Sequence, residues 1–216
     1  MLRFSVNKSE IAKKISIASS SIGSRTVDPI LQCLLFKPTD GHISIYGTDL
    51  QTSVISLVRV GEYEGNESFA VDAELIDDIV SNQSEEEVIF EYSNGKLLVK
   101  SGKAKYNIST ISDIERFPII EIDNGGIRFS IDTSILEEML ERVSFCASSE
   151  SAMRALNGVY WEVHGGFLRL VASDGYRLAL AEQKLDIDSE FDFILALKSV
   201  KELEKLVSST TEPTIN

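Results

Sequence analysis

The chain opens on Leu2-Arg3-Phe4-Ser5-Val6, and the same apolar and polar pattern returns 125 residues later as Ile127-Arg128-Phe129-Ser130-Ile131. The match continues at this offset, without a gap, from about residue 29 to residue 49. Its clearest stretches are Pro29-Ile30-Leu31 opposite Arg154-Ala155-Leu156, and Gly47-Thr48-Asp49 opposite Ala172-Ser173-Asp174. Few positions are identical, but apolar positions and turn residues correspond, and an internal repeat of this kind sets the whole architecture. The sequence therefore predicts two domains of one design.

The composition is that of an ordinary globular protein. The 216 residues are 43% hydrophobic and 25% charged, and the formal net charge is −13. The two cysteines, Cys33 and Cys146, stand in no metal-binding or disulfide pattern, which favours buried thiols in a reduced, cytoplasmic protein. No apolar run approaches the roughly 20 residues of a membrane span, and the amino terminus resembles no signal peptide. The net charge alone argues against an unselective nucleic-acid binder.

The spacing of apolar residues predicts the elements of the first domain. A helix over Ser9–Ile22, with Ser9 as N-cap and Gly23 as its stop, follows the first strand. A second helix spans Asp72–Ser81, with Asp72 as N-cap. The turns are predicted at Asp40-Gly41 and Asn94-Gly95. The predicted strands are Leu2–Val6, Ile30–Lys37, His42–Thr48, Thr52–Val60, Phe69–Val71, Val88–Tyr92, Leu97–Lys100 and Ala104–Thr110.

The second domain repeats this order and then stops. Helices are predicted over Thr133–Ala147 and Leu197–Val207. The strands are Ile127–Ile131, Leu156–Val163, Phe167–Ser173, Arg177–Lys184 and Phe191–Leu195. We expect the chain to be truncated within its second domain, because counterparts of the closing strands of the first domain are missing. The predicted class is α+β, with tandem domains each built from two strand-helix-three-strand units and helices on one face of antiparallel sheets.

These residues resemble one family, the bacterial DNA polymerase III beta subunit or sliding clamp. The motifs that carry the resemblance are Pro29-Ile30-Leu31, Gly47-Thr48-Asp49-Leu50, Phe117-Pro118, Leu156-Asn157-Gly158-Val159 and the long segment from Leu168 to Ala179. The resemblance covers the entire chain. It implies a DNA-clamp fold, with a first clamp domain at residues 1–118, an incomplete second one at 119–216, and the third domain absent.

The resemblance also implies a function. Family members form a homodimeric ring of six domains around duplex DNA, and they dock DNA polymerase and the clamp loader through short apolar peptides. The implied role is a non-catalytic processivity factor without cofactor, metal or membrane partner. Because ring closure depends on the third domain, we expect the 216-residue chain to be a monomer or to associate weakly.

No catalytic arrangement is recognisable in the sequence. His42 and His164 lie in predicted turns, away from any pattern of metal ligands. Asp49 and Asp174 occupy equivalent repeat positions, and a turn-forming role explains both more simply than a paired-carboxylate site. Two alternatives stay open: a metal-dependent DNA-acting enzyme that uses Asp49 or Asp174, and an acidic scaffold that never meets DNA.

The expected DNA contacts come from basic helix faces, because a duplex is held mainly through its phosphates. Arg25 aligns with a DNA-contacting arginine of the family and ranks first. The other candidates are Lys13, Lys14, Lys198, Lys201 and Lys205. The helices predicted at 72–81 and 133–147 are acidic, which favours a weak grip that lets a clamp slide.

The resemblance also implies a peptide-binding groove on the second domain. Its matching positions are Leu156, Ser173, Gly175, Tyr176, Arg177 and Leu178. Leucines supply an apolar floor, while Tyr and Arg are favoured at binding hot spots. Met153 belongs to the same candidate set as a departure, since many relatives have arginine there. The alternative is that the leucines are only core residues and Arg177 only a surface residue.

Overall fold

The computed structural model describes residues 1–23, 28–61, 63–120, 126–149, 152–185 and 187–216. The chain forms two compact units, Met1–Glu121 and Ile122–Asn216. Each unit combines helices with antiparallel sheets, which confirms the predicted α+β class. No helix in the described ranges is both long and apolar enough to cross a membrane.

The first unit holds two antiparallel sheets and two helices. Its elements are β1 (Leu2–Asn7), α1 (Lys8–Ser19), β2 (Cys33–Thr39), β3 (His42–Thr48), β4 (Ser53–Arg59), β5 (Tyr63–Gly65), β6 (Phe69–Asp72), α2 (Ala73–Ser81), β7 (Glu87–Ser93), β8 (Lys96–Ser101) and β9 (Ala104–Ser109). One sheet has the order β5-β1-β7-β8-β9 and the other the order β4-β3-β2-β6. The alternating burial of β1 shows why its sequence forms a strand with one face on the core.

Aromatic rings stack within each sheet of the first unit, and Phe36 of one sheet stacks on Phe90 of the other with centroids 6.1 Å apart. The rings of Phe4 and Phe90 stack with centroids 4.8 Å apart, and those of Phe36 and Phe69 stack at 4.9 Å. Gly47 lets helix α1 approach β3 closely, because a Cβ at that position would lie 2.1 Å from the carbonyl oxygen of Ala18. The close approach brings the apolar face of α1 onto the sheet.

The second unit repeats this plan from β1 to β7, apart from β5. Its elements are β10 (Ile131–Asp132), α3 (Thr133–Val143), β11 (Gly158–His164), β12 (Phe167–Ser173), β13 (Leu178–Lys184), β14 (Phe191–Ala196), α4 (Leu197–Ser209) and β15 (Thr214–Ile215). The order β13-β12-β11-β14 corresponds to β4-β3-β2-β6, and β10 pairs with β15 as β1 pairs with β7. Trp161 stacks on Phe193 across two neighbouring strands, with ring centroids 5.7 Å apart.

The strand register reproduces the repeat residue by residue. Leu35 pairs with Tyr46 in the first unit, and Tyr160 pairs with Val171 in the second, both at an offset of 125. The next pair outward in the same row, Tyr46 with Ile55, corresponds to Val171 with Leu180. The repeat is therefore one of three-dimensional position as well as of sequence pattern.

The helix boundaries differ from the prediction at their ends. Helix α1 begins at Lys8, and its N-cap is Asn7 rather than Ser9, because the Asn7 side chain accepts from the backbone N–H groups of Ser9 and Glu10. The helix ends at Ser19, short of Gly23. Helix α3 ends at Val143 and continues as a tighter 3-10 turn over Ser144–Cys146. The N-cap role of Asp72 is confirmed.

Three strand predictions were wrong in part. The stretch 127–130 forms no strand, so β10 has only Ile131 and Asp132. The strands β2 and β11 begin later than predicted, because 3-10 turns at Pro29–Gln32 and Arg154–Leu156 precede them. The short strand β5 was not predicted. The turns at Asp40-Gly41 and Asn94-Gly95 are confirmed, with positive φ at all four residues.

The two equivalent N-caps give a matched test of helix capping. Asn7 and Asp132 each accept from two backbone N–H groups, at 2.9 and 3.4 Å in both helices. The hydrogen bond from the Ser134 hydroxyl, followed by its backbone N–H, lowers the pKa of Asp132 below its ordinary value of 3.8. The stabilisation that the Asp132 carboxylate provides is therefore complete above pH 3.8 and is lost as the pH falls through the lowered pKa.

We expect Asn7→Ala to reduce stability by about 1 kcal/mol at neutral and acid pH alike. Asp132→Ala should lower the unfolding temperature at neutral pH, and this deficit should shrink as the pH falls below 3.8 and through the lowered pKa of the wild-type carboxyl. Thermal unfolding followed by circular dichroism measures both variants. A deficit for Asp132→Ala that does not change with pH would contradict the expectation.

Candidate peptide groove and helix faces

The turn between β12 and β13 is closed by one side chain. The Oδ1 atom of Asp174 accepts hydrogen bonds from the backbone N–H groups of Tyr176 and Arg177, both at 3.0 Å. The hydroxyl of Ser173 accepts from Gly175 N at 3.1 Å and donates to the Arg177 carbonyl oxygen at 2.8 Å. The backbone N–H groups of Arg177 and Tyr176 are the main reason that the pKa of Asp174 falls to about 2. The Asp174 carboxylate is thus engaged in holding the turn.

The first unit contains the same turn with the same hydrogen bonds. Asp49 accepts from the backbone N–H groups of Gln51 and Thr52 at 3.0 and 2.7 Å. Thr48 takes the place of Ser173, with contacts to Leu50 N and to the Thr52 carbonyl oxygen. The interpretation of Asp49 and Asp174 as turn-forming residues is confirmed.

The turn of the second unit projects a distinct set of side chains. Tyr176 is fully exposed, and Leu178 is 65% exposed. Gly175 has a φ of 92°, in the left-handed region where glycine is favoured. The Arg177 guanidinium lies 5.5 Å above the ring of Phe145, donates from Nε to Asp174 Oδ2 at 2.9 Å, and donates from Nη2 to the Phe145 carbonyl oxygen at 3.1 Å.

The floor beside this turn comes from the loop before β11. Leu156 is half-buried, and its Cδ1 lies 3.8 Å from the position that a Cβ on Gly175 would occupy. The carbonyl oxygen of Leu156 accepts from Ser148 N at 2.8 Å, which fixes the loop. Met153 is 66% exposed at the start of the same 3-10 turn. The structure therefore places Leu156 against the backbone of the turn that carries Ser173, Tyr176, Arg177 and Leu178.

An apolar row crosses the outer face of the sheet in the second unit. Cross-strand pairing aligns Leu180, Val171, Tyr160 and Ile194, one from each strand. Leu180 is 56% exposed and Ile194 is 47% exposed. Such cross-strand neighbours on one face form a continuous surface. Together with Leu178 on the same face of β13, this row extends the apolar surface around the turn.

In the first unit, a later segment of the same chain covers the equivalent apolar row. Leu35 and Ala70 of that row are buried under the segment 111–117, whose Phe117 is itself buried. The Ile111 N–H donates to the Ala70 carbonyl oxygen at 3.0 Å, which attaches the segment to the sheet. The two units therefore share a fold, but among the described residues the apolar row is accessible only in the second unit.

The basic face of helix α4 carries its own counter-charges. Lys201 donates to Glu204 at 2.8 Å, and Lys205 donates to the buried Glu202 at 2.9 Å. Lys198 is exposed on the same helix. The predicted lysine stripe exists, but ion pairs within the helix compensate the charges of Lys201 and Lys205.

The faces of the other helices carry either charges of both signs or mainly negative charges. On α1, Lys13 is exposed and Lys14 is half-buried, whereas Arg25 lies outside the described residues. On α2, burial raises the pKa of Asp77, and on α3 Arg142 pairs with Glu138. Within the described ranges, no group of three or more His, Cys, Asp or Glu side chains is arranged to hold a metal ion.

Comparison with known protein families identifies the family to which both units belong. Residues 2–121 match the N-terminal domain of the DNA polymerase III beta subunit, and residues 130–215 match its central domain. The chain belongs to the DNA polymerase III beta subunit family. Its members are non-catalytic accessory subunits of the polymerase, so the interpretation of the chain as a non-enzyme is confirmed, and the α+β architecture is a sliding-clamp fold.

Individual relatives agree with this assignment. The beta sliding clamp of Vibrio cholerae is 30% identical over 217 residues, which cover 99% of this chain and 59% of that protein. The crystal structure of the beta subunit from Thermotoga maritima superposes with a TM-score of 0.90 at 41% identity, covering 100% of this chain and 58% of that one. A sliding clamp from Pseudomonas aeruginosa bound to griselimycin gives a TM-score of 0.89 at 28% identity, covering 96% of this chain and 57% of that one. The chain thus spans less than three fifths of the length of these relatives.

Sequence reasoning missed Phe145 and the apolar row. Phe145 occupies a 3-10 turn that was assigned to a helix, so its exposure, 57%, was not anticipated. The row could have been found by aligning the alternate residues of the four strands, which have a period of two.

We expect Asp174→Ala to loosen the turn at 173–178, because two backbone N–H groups and the Arg177 Nε lose their acceptor. Hydrogen–deuterium exchange should accelerate in this turn, with little change in β11. The matched control, Asp49→Ala, should accelerate exchange at 48–52 only. Unchanged exchange at 173–178 in Asp174→Ala would rule out the carboxylate as the organising group.

Proposed function

We propose that the two units are clamp domains of a processivity factor. Joined with further clamp domains in a closed ring, they encircle duplex DNA and tether the replicative DNA polymerase. The observation that carries this proposal is the exposed Tyr176-Arg177-Leu178 turn on a clamp scaffold, in a chain whose relatives are named beta sliding clamps. In this proposal, the turn and Leu156 form the groove that receives polymerase and clamp-loader peptides.

The chemistry of the groove supports peptide docking. An exposed tyrosine, a guanidinium fixed in position and leucine side chains are typical of interface hot spots. Gly175 leaves the backbone uncovered, which allows a peptide to approach closely. A pocket of this kind recognises short apolar segments rather than small polar molecules.

The helix charges support a weak and sequence-independent hold on DNA. Phosphate contacts position a protein on a duplex without reading its sequence. Lys201 and Lys205 of α4 are paired with glutamates, so a phosphate contact by either lysine has to replace an existing ion pair. A ring that slides needs contacts that exchange easily, and here topology rather than affinity holds the DNA.

The experiment that tests the proposal compares circular and linear DNA. The protein at its natural length, loaded by a clamp loader, should remain on a nicked circular plasmid and dissociate when the plasmid is linearised. Equal retention on both forms would indicate ordinary DNA binding. No retention on either form would favour the acidic scaffold that never meets DNA.

We expect Tyr176→Ala and Arg177→Ala each to weaken binding of the DNA polymerase by more than tenfold, because hot-spot side chains typically contribute 2 kcal/mol or more. Surface plasmon resonance with the immobilised polymerase measures this loss. Gln51→Ala, at the position equivalent to Tyr176 in the first unit, is the matched control and should bind normally. Loss of binding in the control alone would place the docking surface in the other unit.

We expect Glu204→Gln to strengthen duplex binding several-fold at low salt, because Lys201 is released to contact a phosphate. Lys201→Gln should weaken binding and reduce the slope of log K against log salt by about 0.9. Glu212→Gln removes the same charge from an exposed residue beyond the helix and is the control. Fluorescence anisotropy of a labelled duplex measures all three; an equal gain in the control would mean that only net charge matters.

A further inference from the structure

The segment 111–117 lies on the outer face of the sheet β4-β3-β2-β6, away from the main core of the first unit. Its apolar side chains join a small cluster of their own, which contains Cys33, Leu35, Ala70, Ile111, Ile114 and Phe117. Among the described residues, the large cluster that joins the helices to both sheets contains none of these six. The main core can therefore persist when the segment moves away from the sheet.

Few contacts attach this segment to the sheet. The Ile111 N–H donates to the Ala70 carbonyl oxygen at 3.0 Å, and the two residues form an isolated bridge rather than a strand. Arg116 Nη2 donates to Asp28 Oδ2 at 2.8 Å, but the Arg116 side chain is 62% exposed, so this ion pair contributes little. Of residues 111–117, Phe117 alone is buried. The attachment therefore depends mainly on one aromatic ring.

Detachment of the segment costs less free energy than unfolding of the whole unit. The residues 111–117 regain backbone freedom when they leave the sheet, and this entropy offsets part of the cost of exposing Phe117. Ile111 and Ile114 are only half-buried, and the residues between them are exposed. Segments with few buried contacts open locally far more often than the surrounding domain unfolds.

The start of the segment is fixed, whereas its end leads to the second unit. Thr110 donates from its backbone N–H and from its hydroxyl to the Gly95 carbonyl oxygen, at 3.2 and 2.9 Å. Ile119 and Ile120, which follow the segment, are both exposed. The second unit begins at Ile122. Release of 111–117 therefore adds these residues to the connector between the units, which is about 25 Å of extended chain.

We propose that residues 111–117 form a releasable strap, which detaches while the rest of the first unit stays folded and thereby lengthens the connector to the second unit. Phe117 and, to a smaller extent, Arg116 keep the strap closed. Its release uncovers Leu35 and Ala70, so that the row of the first unit becomes accessible as the row of the second unit is. Release requires neither DNA nor a peptide.

The thiol of Cys33 is a natural probe of the strap. It is 4% exposed and belongs to the cluster that the strap covers. Burial, followed by the negative charge of Asp72, raises the pKa of this thiol to about 11, so it reacts slowly while the strap is closed. Cys146, the other cysteine of the chain, is 2% exposed in the core of the second unit and is the internal control.

Thiol labelling in urea separates release of the strap from unfolding. Cys146→Ala leaves Cys33 as the single thiol, Cys33→Ala leaves Cys146, and excess dithionitrobenzoate measures each labelling rate on the 216-residue chain. Below the unfolding transition, we expect the Cys33 rate to rise little with urea, because release exposes little surface, and the Cys146 rate to rise steeply. A steep rise for Cys33 as well would mean that only unfolding of the first unit exposes it, and would overturn the strap.

Substitutions within the strap test the residues that keep it closed. In the Cys146→Ala background, Arg116→Gln should accelerate Cys33 labelling about threefold and Phe117→Ala by roughly tenfold or more, with the circular dichroism spectrum unchanged. Glu115→Gln, at an exposed residue of the same 3-10 turn, is the control and should label at the rate of the parent. Labelling that does not respond to Phe117→Ala would contradict the proposed closing role of the ring.

Limited proteolysis tests the released connector by an independent route. Asp28→Asn breaks the ion pair with Arg116 but keeps the trypsin site after Arg116, so cleavage there should become about threefold faster. Cleavage after Arg142, an exposed residue within helix α3, is the control and should remain slow in both proteins. A strap that stays uncut in the native wild type and in Asp28→Asn would rule out its release.

Discussion

The rest of this structure depends on one constraint: the backbone N–H groups of its tight turns need a hydrogen-bond acceptor. In each unit four residues, 49–52 or 174–177, join two strands, and a single aspartate accepts from the backbone N–H groups of the last two of them. Once that turn is closed, the register of the flanking strands follows, and so does the alternation that buries one face of the sheet. In the second unit the same aspartate also binds Arg177, which couples the scaffold to the surface it displays.

The charges on the helices bear on the proposed function. The chain is strongly acidic overall, yet α1 and α4 carry lysines at helical spacing. On α4, Lys201 and Lys205 are balanced by glutamates three residues away, and the more exposed pair, Lys201 with Glu204, contributes little to stability. A surface of exchangeable pairs can contact phosphates transiently without a persistent excess of positive charge. In the proposed function, such exchange would let an acidic protein contact a polyanionic partner.

Much of the fold could be predicted because its signals are local. Period-two alternation located the strands, Asp72 capped the helix it was assigned to, and the Asn94-Gly95 turn has the positive φ that its sequence implies. The repeat extended these signals across the chain. The errors lie where local pattern is ambiguous. A helix that tightens into a 3-10 turn at Ser144 has the same apolar spacing as one that continues, so the exposure of Phe145 was invisible.

The candidate site was predicted less completely than the fold. Leu156 lies beside Gly175, and Arg177 belongs to the same turn, but the contacts of Arg177 with Phe145 are tertiary and no spacing encodes them. The apolar row escaped notice because its members are far apart in the chain and align only through strand pairing. Arg25 lies outside the described residues, so its assignment to DNA contact remains a prediction.

The segment 111–117 has a consequence for stoichiometry. Duplication of a domain ordinarily doubles the number of equivalent surfaces, so two copies of a scaffold could bind two ligands of the same kind. Here the first copy fills its row with its own chain, while the described residues of the second copy leave theirs accessible. A second ligand could bind at the row of the first unit only by displacing residues 111–117 and exposing Phe117.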